Sequence, residues 1–213
     1  MQIPVDFVVS ALVTLLVVVD PIALAPTFLA LTHGLPAASR RSVAIRTSLI
    51  ATAILIGTAL IGHWLLTMLG ISLPAFRIAG GLLLFSIASE MVFGLRVQRQ
   101  SKAAEQAIEE HVRNIAAFPL AFPLLAGPGA ITATVLLAGQ AAGRPLTLAA
   151  LIGVIAVTAG VCFAAFLLAG RIGRLLGVTG NVVLERLLGV LLAALAVQYV
   201  IDGVRAVFLA SGV

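Results

Sequence analysis

The segment VVVDPIALAPTF, Val17 to Phe28, places one acid, Asp20, and two prolines, Pro21 and Pro26, inside an apolar run that starts at Val5. A helix in hydrocarbon satisfies its backbone internally, and a lone carboxylate there is costly. Each proline removes a backbone donor and crowds the preceding turn, which frees carbonyls. A second interruption, LLAGPGAITAT from Leu124 to Thr134, brackets Pro128 with Gly127 and Gly129. Glycine lets the backbone unwind or a ligand come close. Freed N–H and C=O groups are tolerated at membrane depth where they line a wet or protein-walled cavity. The chemistry that follows is binding. Half-helix N-termini take up a carboxylate, while Asp20 and freed carbonyls hold an ammonium group or a cation. A small zwitterion satisfies both ends.

The candidate substrate-binding set is therefore Asp20, Pro21, Ala23, Pro26 and Thr27 from the first break, with Gly127, Pro128, Gly129, Thr132 and Thr134 from the second. Asp20 is also the candidate for ion coupling, since a deeply buried carboxylate can exchange a proton near neutral pH. It has a compatible structural role as N-cap of a half-helix beginning at Pro21. The threonines either line the site or bond back to their own helix. Arg77 and Arg186 open later apolar runs as interfacial anchors or interhelical partners, with a substrate-carboxylate contact the sharper alternative and Glu185 beside the latter; Glu90 and Asp202 read as interfacial, with a proton path the alternative for Glu90, and His63 as a helix residue rather than a relay. No group of His, Asp, Glu or Cys has metal-ligand spacing, and no nucleophile–histidine pattern occurs. The expectation is a protein that is not an enzyme and needs no metal or cofactor. The single cysteine, Cys162, sits in an apolar run as a small packing residue, and Gly80, Gly81 and Gly189 permit close helix contact.

The elements that must position these residues are membrane helices. Of 213 residues, 62% are hydrophobic and only 10% charged, where soluble domains average about a quarter charged. Taking about 20 apolar residues per span, six helices are predicted: 5–31, 43–68, 75–95, 114–139, 147–169 and 182–209. The N-terminus has no positive region and no cleavage site follows, so the first run is expected to be a retained span. The net charge of +5 lies in short loops with no basic–aromatic cluster, which excludes nucleic acid as a partner. Arg40, Arg41 and Arg46, then Arg96, Arg99, Lys102 and Arg113, then Arg171 and Arg174 outnumber Arg77, Arg144 and Arg205 of the alternate loops. Placing the rich loops in the cytoplasm puts both termini outside.

A shift of 107 positions lays Asp20-Pro21 over Gly127-Pro128, Ala23 over Ala130, Thr27 over Thr134, and Leu69-Gly70-Ile71-Ser72 over Leu176-Gly177-Val178-Thr179. After a slip of two residues, RIAGGLLLF from Arg77 lies over RLLGVLLAA from Arg186. The chain thus reads as all-α, a single polytopic membrane domain of two three-helix repeats with broken first and fourth helices. Repeat one is 1–95, a cytoplasmic linker 96–113, and repeat two 114–213. Three spans per unit make the repeats inverted, an architecture of secondary transporters.

The segments DPIALAP, FRIAGGLLLF, FPLLAGPGAIT and ERLLGVLLAALAVQYVIDGV recur in the order found in the MarC/SnatA family of six-span membrane proteins, grouped with the LysE-type exporters, which the chain resembles over nearly its whole length. The resemblance implies a transporter of small neutral amino acids such as glycine and alanine. The family's first motif reads DP-x-G, where this chain has Ala23 followed by Leu24. The expectation is a secondary transporter of such zwitterions by alternating access, coupled to H+ or Na+, in the lipid bilayer of a bacterial inner membrane, with a homo-oligomer left open. The alternatives are an exporter of drugs or other amphiphilic metabolites, suggested by the family's name, and a membrane protein with no transport role.

Overall fold

The computed structural model describes residues 5–109 and 114–210; Arg113 and the last part of the linker lie outside them. In chain order the helices are α1 (Val5–Val19), α2 (Pro21–Leu31), α3 (Ala37–Met68), α4 (Leu73–Phe93), α5 (Leu95–Glu109), α6 (Pro128–Gln140), α7 (Pro145–Leu167) and α8 (Ala169–Ala210). A wide-turned segment, Ala116–Leu125, precedes α6. Helix starts follow proline: Pro21, Pro128 and Pro145 each open a helix, where the missing N–H would have had no acceptor anyway. Ser72 caps α4 by accepting from the Ala75 amide at 3.3 Å. Gly94, in the left-handed region with φ 73°, ends α4 and turns the chain into α5.

Five helices or near-straight pairs are long and apolar enough to cross a membrane: Val5–Leu31, Ala37–Met68, Leu73–Phe93, Pro145–Leu167 and Thr179–Leu209. A sixth is the pair Ala116–Leu125 and Pro128–Gln140, bent by 58°. Large apolar side chains point outward from α3 (Leu60, Trp64), α4 (Leu82, Phe85) and α8 (Leu187, Leu191), as lipid-facing surfaces should. The polytopic all-helical class read from composition is the class observed.

The core is built around the two broken spans. Nearly every residue of α6 from Gly129 to Gly139 is buried, and α2 packs on α7 through the stacked rings of Phe28 and Phe166, 4.6 Å apart. The third and sixth spans meet most closely. A Cβ at Gly81 would stand 2.7 Å from the Ala196 carbonyl, and one at Gly189 would stand 2.8 Å from the Met91 Cβ. Small residues let α4 and α8 approach, as membrane helices require.

Helix partners follow an exchange pattern. The first span touches α7 and α8, while the fourth touches α3 and α4; α3 pairs with α7, α4 with α8, and α1 with α6. Swapping spans one, two and three for four, five and six reproduces these contacts. Gly70 and Gly177, which the 107-residue shift superposes, both have positive φ, 68° and 59°. In α8 this glycine separates a short first stretch from the long sixth span.

Two sequence expectations need correction. The fourth span is not a helix interrupted only at Gly127. Phe118 and Phe122 have extended backbone inside Ala116–Leu125, where each precedes a proline in a cis peptide bond, so the irregularity starts well before Pro128. The residue before a proline is disfavoured in the α region, and FPLAFP applies that twice. Nor does Arg96 lie on the solvated face of the surface helix expected between the halves. Arg96, Gln100 and Ala104, four residues apart, form the buried stripe of α5, which packs on α2, α4 and the Ala116–Leu125 segment. Arg99 and Lys102 face out.

Candidate functional site

The first break is a single residue. Asp20 adopts φ 54°, ψ 71°, the one positive-φ position outside glycine among the described residues. Its amide still bonds back to the Leu16 carbonyl at 2.9 Å, closing α1, and its carbonyl accepts from Leu24 at 3.2 Å, opening α2. The left-handed turn between them denies Val18 its usual helical donor. Asp20 Oδ1 accepts from the Ala23 amide at 3.2 Å, so α2 is capped by its own chain's carboxylate. The side chain is 1% exposed and Oδ2 has no partner.

Arg96 supplies what the break lacks. Its Nη2 donates to the orphaned Val18 carbonyl at 2.7 Å, and Nη1 lies 3.1 Å from the Met91 sulfur. The guanidinium is only 6% exposed. Burial pushes its pKa below the ordinary arginine value, and the carboxylates of Asp20 and Glu185 push it back up. Glu185, from α8, is 2% exposed with Oε1 unpartnered. Asp20, Arg96 and Glu185, buried charges from three elements, thus act on one another electrostatically.

The second break opens onto a cavity of about 390 Å³, within the range of small-ligand sites. Its walls are α4 (Ser86, Ile87, Glu90), α5 (Arg96, Arg99, Gln100), Val18, and the chain from Pro123 to Ala130. Glu90 and Arg99 pair across it at 3.0 Å. Gly127 caps α6 without a side chain, and Pro128 has no N–H. The Ile131 amide is the first to bond back, to Gly127 O at 3.0 Å. The Gly129 and Ala130 amides therefore have no intrahelical acceptor, and both residues line the cavity. A Cβ at Gly127 would strike the Pro123 carbonyl; one at Gly129 would come within 2.5 Å of Ile87 Cδ1 and 3.2 Å of Val18 Cγ1. The two breaks are thus in near contact through Val18 and Gly129.

Of the sequence-predicted residues, Gly127, Pro128 and Gly129 line the cavity. Asp20, Pro21 and Ala23 are buried just behind it, linked to it through Val18 and Arg96. Thr27 and Thr134 are buried in the helices beyond, Thr134 with an unpartnered hydroxyl, and Thr132 packs against Gly80. Pro26 faces out of the fold and does not reach the cavity. Sequence reasoning missed Arg96 as a site residue, set Glu90 at the interface, and took Glu185 as a companion of Arg186. For Glu185 a signal existed: an acid inside a long apolar run, Thr179–Leu209, is functional by default in a membrane.

A helical shell exposing apolar side chains, with two interrupted spans enclosing a charged cavity, defines a polytopic integral membrane protein with an internal polar site. The family model for MarC family integral membrane proteins matches residues 5–208, and the chain belongs to that family. It is 37% identical to the UPF0056 membrane protein MJ1677 of Methanocaldococcus jannaschii, over 96% of this chain and 98% of that one. It is 34% identical to the UPF0056 membrane protein YhcE of Escherichia coli, over 91% and 90%. With the UPF0056 membrane protein YvbG of Bacillus subtilis it shares 32% identity, over 95% and 96%. No solved structure matches the chain.

Proposed function

We propose that the protein is a secondary-active transporter of small neutral amino acids, glycine- or alanine-like zwitterions, that works by alternating access between two inverted repeats and is coupled to H+ or Na+. One observation carries this reading: the repeat-equivalent helices α2 and α6 both begin at a proline, but only α2 is capped by a carboxylate. Asp20 occupies in the first repeat the place that a substrate carboxylate takes in the second, against the Gly129 and Ala130 amides and the positive end of α6. Glu90, across the cavity, receives the substrate ammonium. The cavity volume suits a molecule of a few heavy atoms with its water. Among the described residues no aromatic side chain lines the cavity, which disfavours bulky amphiphiles. The exchange pattern of helix contacts supports the duplication. Loop charges, with Arg99 and Lys102 facing out from α5, support both termini outside a bacterial inner membrane.

The test is uptake by proteoliposomes. Radiolabelled alanine or glycine should enter protein-containing vesicles when a pH or sodium gradient is imposed, and Asp20→Asn should weaken the gradient dependence. Uptake no greater than in protein-free vesicles would remove the reading. Ligand binding should also raise the unfolding temperature of the purified protein by mass action.

A further inference from the structure

The buried trio behind the cavity has an odd charge count. Asp20 and Glu185 are acids, 1% and 2% exposed, and Arg96, 6% exposed, is the buried cation among the described residues that attracts both. Among the described residues no second buried cation joins them. Glu90 of α4 and Arg99 of α5 pair with each other at 3.0 Å, and Arg186 on Glu185's own helix attracts that carboxylate only from an exposed position, where solvent screens it. Cys162 of α7, the remaining titratable group facing Asp20, is a buried thiol. Two carboxylates and one guanidinium leave one negative charge without a buried partner, and an uncompensated buried charge is strongly disfavoured. Asp20 Oδ2 and Glu185 Oε1, both buried and unpartnered, are the atoms at which it can be neutralised. Among the described residues no third acid, histidine or cysteine completes a metal-binding group, and a guanidinium repels a metal cation. That leaves a proton.

We propose that Asp20, Arg96 and Glu185 form one proton-binding unit, in which Glu185 takes up and releases the proton. The two acids are not equivalent. Asp20 accepts the Ala23 amide and sits at the positive end of α2, both of which favour its anion. Glu185 has neither aid. The two titrate as a pair sharing one proton, and the asymmetry places that proton on Glu185. Arg96 also lines the cavity, so the guanidinium that balances the pair is within reach of whatever occupies the cavity. A bound carboxylate draws Arg96 outward and makes the proton harder to release. Proton and substrate binding then reinforce each other. This coupling step rests on the transport reading above; the proton-binding unit itself does not.

Two readouts on full-length protein in liposomes separate the claims. In infrared difference spectra taken between acid and alkaline pH, the wild type should show a buried protonated-carboxyl band. That band should vanish in Glu185→Gln, move in Glu185→Asp, and stay unchanged in the surface control Glu105→Gln. A band that survives intact in Glu185→Gln overturns the proposal. If Glu185→Gln does not fold, Glu185→Asp decides alone, and an unshifted band there overturns it equally. The second readout is labelled alanine under a one-unit pH gradient. At one proton per substrate the wild type should reach an accumulation of up to about tenfold, falling to one in Glu185→Gln. Loss of the band without any wild-type uptake supports the unit and refutes alanine transport. Gradient-driven uptake that persists in Glu185→Gln refutes the coupling.

Discussion

Replacing Arg96 by methionine keeps a long unbranched stem and removes the cation facing Asp20 and Glu185. Two losses follow. The bond from Nη2 to the Val18 carbonyl, 2.7 Å long, is charge-assisted and buried, worth about 1.5–3 kcal/mol. The two acids also lose their counter-charge, and breaking a buried ionic set by removing one partner costs about 3–5 kcal/mol. The terms overlap, since the bond is part of the ionic set, so the expected destabilisation is about 3–5 kcal/mol. The same logic makes a sharper statement about the triple variant Arg96→Met, Asp20→Asn, Glu185→Gln. With every formal charge removed, the buried set roughly breaks even against neutral side chains. Asparagine keeps the cap acceptor for Ala23. The triple should therefore return to within about 2 kcal/mol of wild type, held short by the orphaned Val18 carbonyl. Reversible unfolding in mixed micelles, titrated with sodium dodecyl sulfate, measures all three proteins on one scale. A single variant that costs less than about 1 kcal/mol, or a triple no more stable than the single, would show that the three residues do not form an ionic unit.

Other changes probe the breaks one at a time, each by the same unfolding titration. Asp20→Ala should cost more than Asp20→Asn by about 0.5–2 kcal/mol, the usual worth of a helix N-cap, because only alanine leaves the Ala23 amide without an acceptor. Gly129→Ala sets a methyl 2.5 Å from Ile87 Cδ1 and should cost about 1–3 kcal/mol by overpacking. Adding Ile87→Val, which shortens the offending chain, should recover most of this, and a cost that persists would place the strain at Val18 instead. Thr134→Val removes a buried hydroxyl with no partner and should be neutral or stabilising by about 1 kcal/mol. A clear loss of stability would mean that the hydroxyl has a water or ligand partner.

The fold class was legible because the solvent is lipid. With so few charges, the spans stand out by hydropathy, and glycine and proline punctuate them at helix starts and ends. The match of Asp20-Pro21 with Gly127-Pro128 was equally readable, and both pairs do begin half-helices. The length of the second interruption was not read. FPLAFP carries prolines at helical spacing, and a hydropathy window cannot distinguish an apolar helix from an apolar chain with extended residues at Phe118 and Phe122.

Arg96 and Glu185 were hidden for a different reason. Each lies beside other charges in sequence, Arg96 ahead of Arg99 and Lys102, and Glu185 next to Arg186. Adjacent residues on a helix point in different directions, so a charge cluster in sequence says nothing about which member turns inward. What selects Arg96 is the unpaired Val18 carbonyl 78 positions earlier, and only the tertiary fold brings the two together. The break therefore has a consequence that no local motif carries. By giving up one helical hydrogen bond at Val18, the first span creates an acceptor inside the membrane domain. The connection between the halves fills it with a cation, and that cation fixes the end of α5 against the cavity wall. An element placed by sequence in the cytoplasm as a tether is, at its first turn, part of the site. Any movement of α1 against α4 must either carry Arg96 along or break its bond to Val18.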